Sequence, residues 1–261
     1  MNLSTITLER HGDVLEVVID HPSSELNAID GALHHDLDQV FSAIRSEEHA
    51  RAVMVTGRRK AFSAGGDFAW FPELANPVTR EHVRQAGKRI VWNILDAEIP
   101  IVAAVNGPAM GLGATIALLC DAVFMADDAV IGDPHVRVGL VAGDGGTGIW
   151  PLLVGPMLAK RYLLTGDRLD AAEALQLGLA SHVVPADRLH AEAMEFCHRL
   201  AARPPLAVRY TKAAINAWVK QAFATAFDIA IGYETVTMAS ADHAEAVAAI
   251  REKRPPHFEG R

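Results

Sequence analysis

The chain has 261 residues, half of them apolar, and its 24 Lys and Arg against 32 Asp and Glu leave a net charge of −8. That length and apolar content suffice for one large α/β domain with a smaller appendage. The negative balance excludes a general attraction to nucleic acid or to anionic lipid, so any anionic ligand must meet a local basic cluster.

Residues 1–9 carry neither the basic nor the apolar stretch of a leader, and the longest apolar runs are broken by Gly, Pro or Asp well short of a membrane span. A cytoplasmic protein with no membrane partner is expected. Four short apolar runs, 14–19, 52–56, 101–105 and 122–125, are bounded by Gly, Pro or Asp and predict strands buried on both faces. Between them, Leu33, Leu37, Val40, Phe41 and Ile44 share a helical face, as do Val83, Gly87, Ile90, Val91 and Ile94. After Asp187 the strand signal stops. Helices are predicted over 188–202, 206–219 and 222–250, the last with breaks near Gly232 and Ser240, and the tail 251–261 as a loop. The change places a boundary near residue 200, with a core domain over 1–200 and a helical region over 201–261. Cys120 and Cys197 lack any CxxC or Cys/His spacing and read as packed thiols.

Two glycine-rich turns carry the functional signal. Ala61-Phe62-Ser63-Ala64-Gly65-Gly66-Asp67-Phe68 follows the second predicted strand, with Asp67 placed to cap a short helix. Asn106-Gly107-Pro108-Ala109-Met110-Gly111-Leu112-Gly113 follows the third and runs into an apolar helix, whose first N–H groups lack helical partners. Two such amides aimed at one point make an oxyanion hole. Neither turn has the Gly-Lys-Ser/Thr ending of a P-loop or the GxGxxG spacing of a dinucleotide site.

The order and spacing of these motifs resemble the crotonase (enoyl-CoA hydratase/isomerase) superfamily over nearly the whole chain. Leu26-Asn27-Ala28, the two glycine turns, Leu163-Leu164-Thr165-Gly166-Asp167, Gly178-Leu179-Ala180 and Glu252-Lys253-Arg254 each match a family segment. The resemblance implies an α/β spiral of ββα units and a C-terminal helical trimerisation region in a homo-trimer or hexamer. It assigns the oxyanion donors to the backbone N–H groups of Gly66 and Leu112, the latter in place of the usual glycine. It also implies coenzyme A as part of the substrate with no tightly bound cofactor, and Lys253 and Arg58 as candidates for its phosphates.

The chain departs from the hydratase pattern at the two usual glutamates, which are Thr115 and His135 here. Threonine is no general base near neutral pH, and Thr115 is expected to bond to the helix backbone. An imidazole can exchange protons there. His135, in Gly132-Asp133-Pro134-His135, is the expected acid/base, oriented by Asp144 of the turn Gly143-Asp144-Gly145-Gly146. This pairing resembles the 6-oxocamphor hydrolase-type β-diketone hydrolases of the same superfamily. Asp133 reads as a turn former. His34, His35 and Asp38 read as a solvated helix face, and no metal is expected. The favoured function is hydrolysis of a C–C bond in a β-dicarbonyl substrate. The alternatives are an enoyl-CoA hydratase or isomerase using His135, and an acyl-CoA-binding protein without catalysis.

Overall fold

Strands made wholly of buried residues need cover on both faces. In the computed structural model, which describes residues 2–261, helices supply it. A hairpin of β1 (Ile6–His11) and β2 (Val14–Ile19) is followed by α1 (Gly31–Arg45), β3 (Ala52–Gly57), α2 (Pro77–Asp96) and β4 (Ile101–Val105). Next come β5 (Ala109–Met110), α3 (Leu112–Leu119), β6 (Ala122–Ala126), β7 (Val130–Gly132), α4 (Gly146–Thr165), β8 (Arg168–Asp170), α5 (Ala171–Leu177) and β9 (His182–Val184). Four helices close the chain: α6 (Leu189–Ala201), α7 (Pro205–Ala224), α8 (Phe227–Thr237) and α9 (Ala241–Glu252).

The main sheet runs β1-β2-β3-β4-β6-β9, parallel throughout except for the β1–β2 hairpin, and a second sheet runs β5-β7-β8. All four predicted strands are present, and every residue of β2, β3, β4 and β6 is buried. The edge strand β1 was not anticipated; its pattern is mostly exposed, which is why no apolar run marks it. Helix α1 begins where Asp30 accepts a hydrogen bond from the Leu33 N–H, and it buries Leu33, Leu37, Val40, Phe41 and Ile44, as its periodicity predicts. Burial of side chains this size contributes roughly 1.5–3 kcal/mol each.

The gap predicted between residues 219 and 222 lies at Thr225 and Ala226, between α7 and α8; the further break expected at Gly232 is absent, that residue being inside α8, and Ser240 caps α9 as expected. A glycine within a helix is tolerated when neighbouring turns are held, and here Ala230, Ile231 and Glu234 are all buried. The C-terminal helices are joined to the core. Lys212 Nζ donates to the Ile99 carbonyl at 2.8 Å, Asn216 donates to the Leu95 carbonyl at 2.9 Å, and Phe223 and Phe227 are fully buried.

Because β3 and β4 are parallel neighbours, the turns that leave their C-terminal ends emerge side by side. The Met110 N–H donates to the Ser63 carbonyl at 2.9 Å and the Ser63 N–H to the Pro108 carbonyl at 3.1 Å, so the turns form a short ladder of their own. A third loop is tied in by Asn27, which is fully buried with φ +48°. Its side chain accepts from the His21 N–H and donates to the carbonyls of Ile19 and Ala61 at 3.0, 3.1 and 2.9 Å. Asn27→Ala leaves those groups without partners, and a loss of about 3 kcal/mol in urea unfolding is expected. A loss below ~1 kcal/mol would mean that the side chain does not hold the loop.

Candidate active site

The two glycine turns place two backbone amides on one cavity. Gly66 is pinned between neighbours: the Gly65 carbonyl accepts from the Ile29 N–H at 2.8 Å, and the Asp67 N–H donates to the Ile29 carbonyl at 2.9 Å. Leu112 opens α3, so its N–H is one of the donors a helix cannot satisfy internally. Among the described residues neither the Gly66 nor the Leu112 amide donates to a protein acceptor. Both residues line a cavity of about 70 Å³, together with His135 and Asp144. Thus the four residues expected to act together do meet at one cavity. Space explains the glycines around them. Gly111 has φ +55° and would carry its Cβ to 3.3 Å from His135 Cε1, while a Cβ on Gly66 would stand 2.5 Å from the Phe71 ring.

His135 starts a short 3-10 turn, His135–Val138, just beyond β7. The turn is clamped from α9, where His243 Nδ1–H donates to the Val138 carbonyl at 2.6 Å. Its aspartate partners divide differently from the sequence reading. Asp133, with no side-chain exposure, holds Nδ1 at 2.5 Å and also accepts from the His135 backbone N–H at 3.3 Å. Asp144 stands on the other side of the ring, 3.3 Å from Nε2. The orienting carboxylate is therefore Asp133, and Asp144 shares the reactive edge of the imidazole. Asp133 keeps its place because Gly146, in the first turn of α4, has no side chain: a Cβ there would overlap its Oδ2. The positive end of a helix dipole suits a carboxylate at that point. Burial disfavours the charged imidazole, but Asp133 and Asp144 outweigh it and hold the His135 pKa well above its usual value.

Thr115 does not bond to its helix backbone; its hydroxyl donates to Asp144 at 3.1 Å and so fixes one carboxylate oxygen. A further acid comes from α8. Glu234 Oε1 lies 3.8 Å from His135 Nε2 on the same cavity. It arrives there because Gly143, next to Asp144, leaves no room for a side chain between itself, the Ala230 carbonyl and Glu234. Burial raises the Glu234 carboxyl to about 8, with the charge of Asp144 adding to the rise and that of His135 opposing it. Sequence reasoning missed this residue, although an acid on the apolar face of α8 is the kind of signal that marks one.

His34 was assigned to a solvated face, as was Asp38. Both are buried, and His34 lines the cavity beside Trp70, with its pKa lowered to about 4 mainly by burial. Asp38 is engaged by Arg89 from α2 at 2.7 Å, so this face of α1 packs against a helix. Trp70 and Phe71 wall the cavity, and Trp92 and Trp150 pack in the core.

A second cavity of about 230 Å³ shares Gly66, Phe71 and His135 with the first and continues past Gly65, Phe68, Arg137 and Ile250. A substrate spanning both cavities would pass the two amides at their junction. Arg58 and Lys253 line neither cavity. Arg58 is paired with Glu9 at 2.7 Å and Asp20 at 3.0 Å on the sheet edge, and Lys253 is the exposed C-cap of α9. The cation that does reach the second cavity is Arg137. Ligand atoms of Asp133, His135 and Asp144 lie within 4.8 Å of one another, as do those of Glu9, His11 and Glu16. In the first group a metal would compete with a proton for the imidazole.

The enoyl-CoA hydratase/isomerase family model matches residues 9–261. The chain is 32% identical over 259 residues to a short-chain-enoyl-CoA hydratase of Clostridium acetobutylicum, covering 97% of each chain. Among solved structures, an enoyl-CoA hydratase/isomerase from Mycobacterium paratuberculosis superimposes with a TM-score of 0.90 at 37% identity, over 94% of this chain and 98% of the other. A β-diketone hydrolase from the cyanobacterium Anabaena, bound to (S)-3-oxocyclohexyl acetic acid, superimposes with a TM-score of 0.85 at 29% identity, over 91% and 95%.

Proposed function

The chain belongs to the enoyl-CoA hydratase/isomerase family, and from that premise we propose that it hydrates or isomerises an enoyl-CoA thioester with His135 as the acid/base. One observation carries this reading. One usual glutamate position holds His135 and the other Thr115, and carboxyl groups come in from neighbouring elements, so that an imidazole, Asp144 and Glu234 face the cavity holding the Gly66 and Leu112 amides. The favoured relatives act on enoyl-CoA, which supports the same choice over C–C hydrolysis.

In the proposed reaction the thioester carbonyl oxygen accepts from both amides, which take up the charge of the enolate. Asp144, oriented by Thr115, removes a proton from water as the water oxygen bonds to the β-carbon. His135 Nε2 delivers a proton to the α-carbon, and the proton held by Asp144 restores the imidazolium, so one water is added in balance. Coenzyme A enters as part of the substrate, and no separate cofactor is needed for these steps. Activity is expected to fall as pH rises through about 8, where Glu234 loses its proton and brings a second negative charge beside Asp144. A pH–rate profile of kcat flat from 6 to 10 would remove Glu234 from the ionising set.

A second reading, hydrolysis of a β-diketone, is favoured by the likeness to the Anabaena enzyme and by the contact between His135 and Asp144. Water would then attack one carbonyl carbon, and the C–C bond would break with the leaving carbon as an enolate. A short trans-2-enoyl-CoA and a cyclic β-diketone, assayed side by side with product masses, separate the two. Gain of water without chain cleavage supports hydration; a ring-opened carboxylate from the diketone, with the thioester untouched, overturns it.

The assembly we propose is a homo-trimer or hexamer held through residues 201–261, in the cytoplasm. Leu206, Tyr210, Ile215 and Trp218 on α7 and Tyr233 and Val236 on α8 are large apolar side chains left open in the single chain. Trp218→Glu is expected to shift the light-scattering mass from a multiple of the chain to that of one chain. An unchanged mass would place the interface elsewhere. No helix among the described residues is long and apolar enough to cross a membrane.

A further inference from the structure

One polar side chain on the catalytic cavity has no part in the proton chemistry. Arg84, on α2, is the one Lys or Arg among the described residues that line it. The lining also holds the apolar Leu74, Val83, Ile231 and Met238 and the polar Thr235. Gly87, about one helical turn further on, leaves space beside it, with Ile231 Cδ1 the nearest atom to a built Cβ at 3.8 Å. The guanidinium is not used up. Nε and Nη2 donate to Glu81 at 2.8 and 2.6 Å, and Nη1 has no hydrogen-bond acceptor among the described residues. The Glu81 pair joins residues three apart with side chains 30% and 45% exposed, and pairs so open to water contribute little. A ligand carboxylate can therefore take the guanidinium at small expense.

Two carboxylates lie near Arg84, its partner Glu81 and Asp228. Lys88 is held by Asp228 at 2.7 Å, leaving Arg84 as the donor toward the cavity. Glu234, neutral below about pH 8, does not repel an anion, and Asp144 is engaged by Thr115 and His135. A guanidinium on an apolar wall selects a planar oxyanion, which it can bind with two parallel hydrogen bonds. Size narrows the choice. The cavity measures about 70 Å³, under half of the about 150 Å³ that admits benzene.

We propose that Arg84 selects a short acyl group ending in a carboxylate, so that the substrate is the mono-thioester of a short unsaturated dicarboxylic acid. This rests on the enoyl-thioester reading and adds the acyl class to it. The test is calorimetric, with two unreactive thioesters of equal length, glutaryl-CoA and pentanoyl-CoA, on the full chain. The wild type is expected to bind glutaryl-CoA at least ~10-fold more tightly, as a charge-assisted hydrogen bond allows. Arg84→Gln brings the ratio near one, and Arg84→Lys keeps part of it. Equal affinities in the wild type, or a ratio unmoved by Arg84→Gln, overturn the assignment. If neither thioester binds, both the assignment and the enoyl-thioester reading fall. Carboxylate-selective binding without turnover of the matching trans-2-enoyl thioester supports Arg84 and overturns only the reaction.

Discussion

His135→Ala is expected to lower kcat by at least ~10²-fold with little change in KM, the loss that follows removal of a general acid/base. The expectation rests on position: Nε2 faces the cavity that the Gly66 and Leu112 amides also line, with Asp144 at 3.3 Å. The same change leaves Asp133 buried without its imidazolium, and removing one partner of a buried ion pair destabilises by about 3–5 kcal/mol. His135→Gln separates the two effects, because an amide N–H can still donate to Asp133 but cannot carry a proton to carbon. A folded His135→Gln protein with wild-type kcat would remove the imidazole from the mechanism.

Asp133→Asn is expected to lower kcat by ~10²-fold or more; replacement of the aspartate behind the histidine of a serine protease costs about 10⁴. It also makes a prediction that a structural role alone would not. Burial by itself lowers the His135 pKa, and the two aspartates raise it. The acid form of the imidazole is therefore complete below the raised pKa and is lost as pH rises through it. With Asp133 neutralised, that loss moves to lower pH, so the alkaline limb of the kcat profile shifts in the acid direction. Titration of the His135 ring by NMR in both proteins reads the same shift directly. A lower rate with an unmoved limb would leave Asp133 a packing role only.

The pair of predictions depends on a distinction that chain order does not contain. Asp133 and Asp144 flank the imidazole from opposite sides, and two aspartates near one histidine in sequence give no sign of which ring nitrogen each will meet. Asp133 reads as a turn former because it precedes a proline, and it does accept from the His135 backbone N–H; the same oxygen also holds Nδ1. Thr115 reads as a helix residue bonding to its own backbone, but Gly145 packs against its methyl group and the adjacent Asp144 accepts a hydrogen bond from its hydroxyl. Arg58 is engaged by Glu9 and Asp20, a pairing across the sheet edge that chain order does not show.

By itself the sequence determined the buried strands β2, β3, β4 and β6, the apolar faces of α1 and α2, and the two glycine turns whose amides line one cavity. These are legible because they depend on local physics: repeat distances of side chains along a strand or helix, and the absence of a Cβ where backbone must turn or approach closely. Only the tertiary structure decided which carboxylate serves which nitrogen of His135, that Glu234 of α8 joins them, that His34 turns inward, and that Arg84 is the cation lining the same cavity. Periodicity says that a face is buried but not what it is buried against, and a carboxyl group's acidity is set by the dielectric and charges of neighbours far away in the chain.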